Sequence, residues 1–464
     1  MGIRIQPIEI EVPEDNPFAN DSLEREEPIK VLTHLLHSID GPCVLAVDAA
    51  WGEGKSTFLR LWSQYLRNQG FPVIEFNAWL TDFSDEPFLV LSTELTEGFK
   101  DYPKGAAAER IAETKKLAKD IFRQTATSAA RVFSSGLVDI DALMKQRFSR
   151  YNESKDLIEN FKSTLKEMAA AVSKCKKKNS MIVVIDELDR CRPSYAVGLL
   201  EAAKHLFSVN GIIFVLAVNR TQLAHSIKAL YGRDFDSLGY LQRFIDIDFQ
   251  LPLPKRKKFI ENILTTISFL DYFERTNDAD AKQSFPSVKK FSQNIFETTE
   301  LSIRQISQAF HRLGLVLGSL RSDRRAFAYS AVVAIFLRSI NAGIYHRFCR
   351  GEITDLEVVD EIFNYPGIRI LQGTHDGCLI EAYITEGAKE ILRKNSPEED
   401  IKSPLLTRYR SIIESGNSSS KKDQMRAEKV IELIEYLSKH PNHVGFLYSV
   451  SRIELLTPEL IKSD

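Results

Sequence analysis

Cysteine is scarce and badly placed for structural bonding. The five cysteines (Cys43, Cys175, Cys191, Cys349 and Cys378) are scattered, odd in number and never spaced as CxxC. That pattern excludes a disulfide framework and a cysteine-based zinc site and points to a reducing, cytoplasmic setting. Charge of one sign is also missing: 61 basic against 63 acidic residues leave a net charge of −2. A general nucleic-acid binder leans on a basic surface, so that class is disfavoured and no obvious nucleic-acid patch is expected. Long apolar runs are absent. The longest, Ala326–Leu337, has 12 residues, whereas a bilayer span needs about 20. It reads as a buried core helix, and no transmembrane segment is expected. The first residues, MGIRIQPIEIEVPEDNPF, lack the basic start and apolar run of a signal peptide. The nine histidines show no paired metal spacing, and no nuclease, protease or deaminase pattern is present.

What remains is a globular composition, 44% apolar and 27% charged over 464 residues, enough for two to four structural units. Residues 1–20 carry three prolines and read as an extended arm. Asp21 or Ser22 is placed to cap a helix running through Leu23, Ile29, Leu32, Leu35 and Leu36. Short apolar runs, Cys43–Val47, Pro72–Phe76, Met181–Ile185 and Gly211–Val218, alternate with the helical patterns Thr57–Asn68 and Tyr195–Phe207. Apolar strands alternating with helices predict a parallel α/β sheet covered on both faces. Between about residues 93 and 178 the apolar spacing becomes helical, with a break near Ser134-Ser135-Gly136, and this segment reads as a helical insert. Beyond Pro254 strand signals fade. Helices are expected to the end, broken at Pro286, at Pro366-Gly367 and at a surface loop over Gly416–Gln424.

The chemistry sits at the ends of two strands. Val44 onward reads VLAVDAAWGEGKSTFLRLW, an apolar strand, a glycine-rich turn and a helix, which is the order a phosphate-binding loop requires. Amides of such a loop and of the helix start point at phosphate, and glycines let the backbone come close. Lys55 would neutralise the β- and γ-phosphates, and the Ser56 hydroxyl would bind Mg²⁺. The candidate nucleotide-contacting set is Ala49, Trp51, Gly52, Glu53, Gly54, Lys55, Ser56 and Thr57. Ala49 stands where such loops usually start with glycine, which is tolerable only without a positive φ. ATP with Mg²⁺ is therefore the expected cofactor set. An Asn-Lys-x-Asp guanine-reading tetrapeptide does not follow, which counts against GTP.

Met181–Arg190 reads MIVVIDELDR. Asp186 falls at the carboxyl end of a buried strand, where ligands bind in open α/β sheets, and is the second candidate metal ligand. Glu187 is placed to activate an attacking water; the plain alternative for both acids is capping the next helix. Arg190 pairs with a neighbouring acid or reaches nucleotide across a subunit boundary. Asn219, after GIIFVLAV, either hydrogen-bonds the water or γ-phosphate or caps a turn. Arg243 and Arg304 are candidates for contacting phosphoryl charge, surface pairing being the alternative for each. The candidate catalytic set is thus Glu187, Lys55, Asn219 and Arg243, with Arg304 as a nucleotide contact from a lid.

Together these segments resemble the KAP family of P-loop NTPases. The resemblance runs over residues 20–315, through DSLEREEPIKVLTHLL, WGEGKST, EFNAW at Glu75–Trp79, Glu86-Pro87, IDELDRCRP, LLEAAKHLF, FVLAVNRTQLAHSI, YLQRF and FQLPLP. It implies an ASCE-type ATPase core with a helical insert and a following helical lid, in three parts: an arm over 1–20, a KAP-like domain over 21–320 and a helical C-terminal region over 321–464. The family's best-known members are bacterial phage-exclusion proteins and animal membrane-associated signalling scaffolds. By that resemblance the chain is an ATPase acting as a switch or assembly machine in anti-phage defence, working as a homo-oligomer or with a partner effector protein. The alternative is a scaffold that binds ATP with little turnover. Several relatives carry transmembrane helices in the insert, and this chain does not. It also departs from the family at Ala49, at Asn219 in place of a common aspartate and at Arg243 in place of a common lysine. These departures bear on hydrolysis more than on binding.

Overall fold

The computed structural model describes residues 10–39, 41–84, 86–99, 158–172, 180–204, 206–266, 279–318, 328–395, 403–415, 420–440 and 445–454. Most of the expected insert, its break at Ser134-Ser135-Gly136 and the first nine residues of the arm lie outside them. The chain divides into two compact units, one over Ile10–Pro254 and one containing Lys255–Asp464.

The first unit is built on five parallel strands: β1 (Cys43–Asp48), β2 (Val73–Asn77), β3 (Met181–Asp186), β4 (Ile212–Val218) and β5 (Ile247–Gln250), in the order β2-β3-β4-β1-β5. β4 lies between β1, which leads into the glycine-rich turn, and β3, which ends in the acids. This is the strand order of the expected ASCE-type core. β3 and β4 are buried along almost their whole length, as their uninterrupted apolar runs require of strands covered on both faces. Alternation then divides their side chains. Val183, Ile185, Phe214 and Leu216 enter one layer, with α3 (Pro87–Gly98), α4 (residues 158–172), α5 (Pro193–Lys204) and α6 (Arg220–Tyr231). Ile182, Val184, Ile213 and Val215 enter the other, with α1 (Glu26–Ser38) and α2 (Lys55–Asn68). Each such fully buried side chain contributes about 1.5–3 kcal/mol. In the second layer Trp62 of α2 is fully buried, and its Nε1 donates to the Thr33 hydroxyl of α1 at 3.0 Å. This satisfies the ring's polar atom. A short helix, α7 (Ser237–Leu241), precedes β5.

α1 starts later than the sequence suggests. Asp21 does accept backbone N–H groups, from Leu23 at 3.1 Å and Arg25 at 2.5 Å, but helical geometry begins only at Glu26. Leu23 lies before the helix and is buried there.

The second unit is helical throughout its described residues: α8 (Arg256–Thr266), α9 (Ala279–Glu297), α10 (Ile303–Gly318), α11 (Ala328–Ile340), α12 (Ala342–Cys349), α13 (Asp355–Ile362), α14 (Pro366–Arg369), α15 (His375–Asn395), α16 (Pro404–Ser415), α17 (Lys421–Lys439) and α18 (Phe446–Ile453). They enclose one apolar core. α11 carries most of the longest apolar run and sits in that core, with Val332, Val333, Ala334 and Phe336 fully buried. No described helix is long and apolar enough to cross a membrane.

Two expectations need correction here. Pro286 does not break a helix; it lies inside α9. The missing N–H costs about 3 kcal/mol in a helix interior, and burial of Val288, Phe291, Ile295 and Phe296 on the same helix outweighs it. The Gly416–Gln424 segment is not loop to its end, because the Ser420 side chain accepts the Asp423 N–H and starts α17 at Lys421.

Candidate functional site

The parallel register brings the carboxyl ends of four strands to one rim. Asn77 of β2 lies beside Asp186 of β3, and Asp48 of β1 beside Val218 of β4. Chain direction and strand length alone therefore gather the polar residues that follow β1, β3 and β4. The turn after β1 is closed by the Ala49 N–H, which donates to the Val218 carbonyl at 3.2 Å, and by the Glu53 N–H, which donates to the Ala50 carbonyl at 3.4 Å. Gly52 and Gly54 take φ of 88° and 81°, which a side chain would strain; a Cβ on Gly54 would also come within 2.6 Å of Leu23 Cδ1. Ala49 does not have a positive φ. Losing the usual glycine there therefore costs the backbone nothing.

The turn opens directly into α2, whose first residue is Lys55. Its ammonium, 9% exposed, donates to the Ala49 carbonyl at 3.1 Å and to Asp189 Oδ2 at 3.2 Å. The same Asp189 oxygen accepts Trp51 Nε1 at 2.5 Å. Trp51 is otherwise 45% exposed. Next along the helix, the Ser56 hydroxyl hydrogen-bonds the Asp186 carboxylate. The glycine-rich turn and the acidic strand thus touch. Burial pushes the Asp186 carboxyl above its usual range, against the pull of its bonds from Ser56 and from the Glu187 N–H. A half-buried, oxygen-rich pair of this kind suits a hard divalent cation.

Glu187 adopts φ 61°, in the left-handed region, at the start of a tight turn over Leu188–Arg190. This costs a non-glycine residue about 1–2 kcal/mol. It sends the chain back so that Asp189 reaches Lys55. The Glu187 carboxylate accepts from Asn77 Nδ2 at 3.2 Å and pairs with Arg190 at 2.6 Å. Arg190 also lies over the Trp79 ring, 5.9 Å from its centroid. Of the two sequence readings of Arg190, pairing with a neighbouring acid is the one seen, and the partner is Glu187. Asn219 caps α6, its side chain accepting the Gln222 N–H at 3.2 Å. Arg243 is exposed and lies over Tyr240, 5.8 Å from the ring centroid. Thr57 is half-buried in the first turn of α2. Arg304 is exposed on α10, in the helical unit.

Sequence reasoning did not single out Asp189, Asn77 or Arg25 as site residues. Asp189 follows Asp186 by three positions, and only the left-handed turn at Glu187 shows that it folds back. Arg25, just before α1, is 1% exposed, with Nη2 donating to the Glu53 carbonyl at 2.7 Å and Nη1 to the Pro252 carbonyl. Burial pushes its guanidinium down to about 10, against the nearby Asp21 and Glu53 charges, so it stays protonated at neutral pH.

The family model of the KAP family P-loop domain matches residues 25–323, well over half of the chain. This chain belongs to the KAP family. The match starts at Arg25 and continues past Pro254 into the helical unit. That family is one of nucleotide-binding P-loop NTPases, and the matched span includes the glycine-rich turn and the acidic strand. A similar curated protein is the phage T7 exclusion protein of Escherichia coli (strain K12), 23% identical over 235 residues, covering 46% of this chain and 30% of the relative. The aligned part thus spans less than a third of that relative's length. Among solved structures, Cdc6p from Pyrobaculum aerophilum is 14% identical with a TM-score of 0.37, covering 92% of this chain and 96% of that one. The ADP form of the Aeropyrum pernix ORC2 protein is 10% identical with a TM-score of 0.31, covering 98% and 96%. Likenesses this loose carry no argument about this KAP protein's chemistry.

Proposed function

We propose that this KAP protein binds ATP with Mg²⁺ at the Gly52–Thr57 loop and hydrolyses it, using the cycle to switch the shape or assembly of its helical regions. The observation that carries the reading is the contact between the Ser56 hydroxyl and the Asp186 carboxylate beside the Lys55 ammonium. Loop amides and Lys55 hold the triphosphate oxygens. Ser56 and Asp186 hold Mg²⁺, which supplies charge neutralisation to the phosphates. Glu187 orients and deprotonates the attacking water, and Asn219, with its amide N–H₂ beyond the β4 end, steadies that water or the γ-phosphate. Arg243 is assigned to developing phosphoryl charge. Asp189 competes with phosphate for Lys55 and so sets how readily the ammonium is given up. The KAP-like domain is taken as residues 21–320, with 321–464 as the sensor or assembly surface of a homo-oligomer or of a complex with a partner effector.

The name of the phage T7 exclusion relative supports a role in bacterial defence. A second reading, a nucleotide-gated scaffold with little turnover, is favoured by one feature: both Glu187 oxygens are engaged, by Asn77 and by Arg190. Phosphate release from ATP and GTP, with solution mass measured in the same samples, separates the readings. Wild type is expected to release phosphate from ATP, Lys55→Ala to release none, and Glu187→Gln to bind ATP without releasing it. Equal release by all three proteins overturns the site. A wild type that binds ATP but releases phosphate no faster than Glu187→Gln supports the scaffold instead.

A further inference from the structure

Arg25 takes no part in the chemistry assigned above, yet it is 1% exposed and points a buried charge at the phosphate loop. Its Nη2 donates to the Glu53 carbonyl at 2.7 Å, and its Nη1 donates to the Pro252 carbonyl two residues beyond β5. Its own backbone N–H is held by Asp21 Oδ2 at 2.5 Å, so the guanidinium departs from a fixed point. Leu23, two residues earlier, packs so tightly under Gly54 that a Cβ there would meet its Cδ1 at 2.6 Å. The segment Asp21–Arg25 is thus a floor beneath the loop, and the guanidinium joins it to the loop backbone through a charged donor.

The peptide that joins Glu53 to Gly54 is trans, like every other described here. In a planar trans peptide the C=O and N–H point in opposite directions. A carbonyl pinned to a buried guanidinium therefore turns the Gly54 N–H away from the core. Donation by a charged group also polarises the peptide and strengthens the donor at its other end. Gly54, at φ 81°, is free to flip without such a restraint.

We propose that Arg25 is a positioning residue for nucleotide binding: it clamps the Glu53 carbonyl, orients the Gly54 N–H toward phosphate, and ties the loop to the chain that leaves β5 at Pro252. The clamp rests on the proposed triphosphate site. It predicts that removing the guanidinium weakens nucleotide binding in protein that is still folded. Lysine, with one ammonium, cannot donate to two carbonyls in the fork geometry that arginine offers.

The test is the affinity of a fluorescent ATP analogue with Mg²⁺, measured well below the melting temperature, for wild type, Arg25→Met, Arg25→Lys and Leu36→Ala. Leu36 is a buried residue at the end of α1 remote from Arg25; its truncation is the stability control. Arg25→Met is expected to bind about tenfold or more weakly and Arg25→Lys to fall between it and wild type. Leu36→Ala is expected to lower the melting temperature while keeping wild-type affinity. Should Arg25→Met fail to fold, Arg25→Lys carries the comparison alone. Wild-type affinity in a folded Arg25 variant overturns the clamp, as does equal weakening by Leu36→Ala. A wild type that binds no analogue at all overturns the parent site and the clamp with it.

Discussion

Both units bury charge, and they do so differently. In the helical unit Glu381 is fully buried on α15, and both its oxygens are taken: Arg426 of α17 donates to Oε1 at 2.7–2.8 Å, and the Tyr409 hydroxyl of α16 donates to Oε2. Arg426 in turn lies over the rings of Phe363 and Tyr409, at 5.2 and 5.7 Å. Asp355 is closed off in the same way by Ser403 and by the Leu356 and Leu405 N–H groups. These charges fasten helices to one another. In the α/β unit, Lys55, Asp186, Glu187 and Asp189 crowd one rim at the strand ends, where Lys55 donates to Asp189 and Glu187 is held by Asn77 and Arg190. Charge held between packed elements is structure; charge gathered where strands end, on a turn of strained and glycine backbone, is available to a ligand.

Removing charge in either unit separates the two roles. The largest effect belongs to Glu187→Gln, which should cut turnover by about 10²–10⁴-fold while ATP is still bound and the melting temperature barely moves. Turnover by the variant near the wild-type rate would remove Glu187 from the chemistry. Next comes Arg426→Met, which strands Glu381 in the helical core and should cost about 3–5 kcal/mol in denaturant unfolding, with nucleotide affinity of the folded protein unchanged. A drop in affinity without a drop in stability would contradict the division drawn here. Tyr409→Phe leaves one buried Glu381 oxygen without its donor and should cost about 1–3 kcal/mol by the same assay. The smallest effect concerns Glu390, whose carboxyl burial raises, against the Leu447 N–H it accepts. A raised carboxyl binds its proton more tightly folded than unfolded, so its penalty is absent at low pH and grows as pH rises through the folded pKa. Glu390→Gln should therefore stabilise slightly at neutral pH and make no difference in acid. A stability difference that is the same at both pH values would contradict that sign.

Much of the α/β unit was legible because its signals are local. β3 and β4 are nearly continuous apolar runs, and Gly52–Thr57 sits between a strand and a helix as a phosphate loop must. The buried fate of the apolar run around Val332 followed from its length alone. What escaped reading depends on tertiary packing. Arg25 looks like one more surface charge in DSLEREEP, and only burial beneath the loop reveals it. Asp189 needs the left-handed Glu187 to bring it to Lys55, and no spacing rule marks that turn. Pro286 was read from local propensity, which the core around Phe291 and Phe296 overrode.

Binding and hydrolysis at this rim require the loop and the acidic strand to share one cation beside the phosphates. Calorimetric titration of ATP into wild type and Asp186→Asn, with Mg²⁺ present and with Mg²⁺ chelated, tests this directly. Wild type should bind ATP about tenfold or more tightly with Mg²⁺, and Asp186→Asn should lose that dependence while still binding ATP through Lys55. Absence of ATP binding by wild type, or an equal Mg²⁺ response in both proteins, would contradict it.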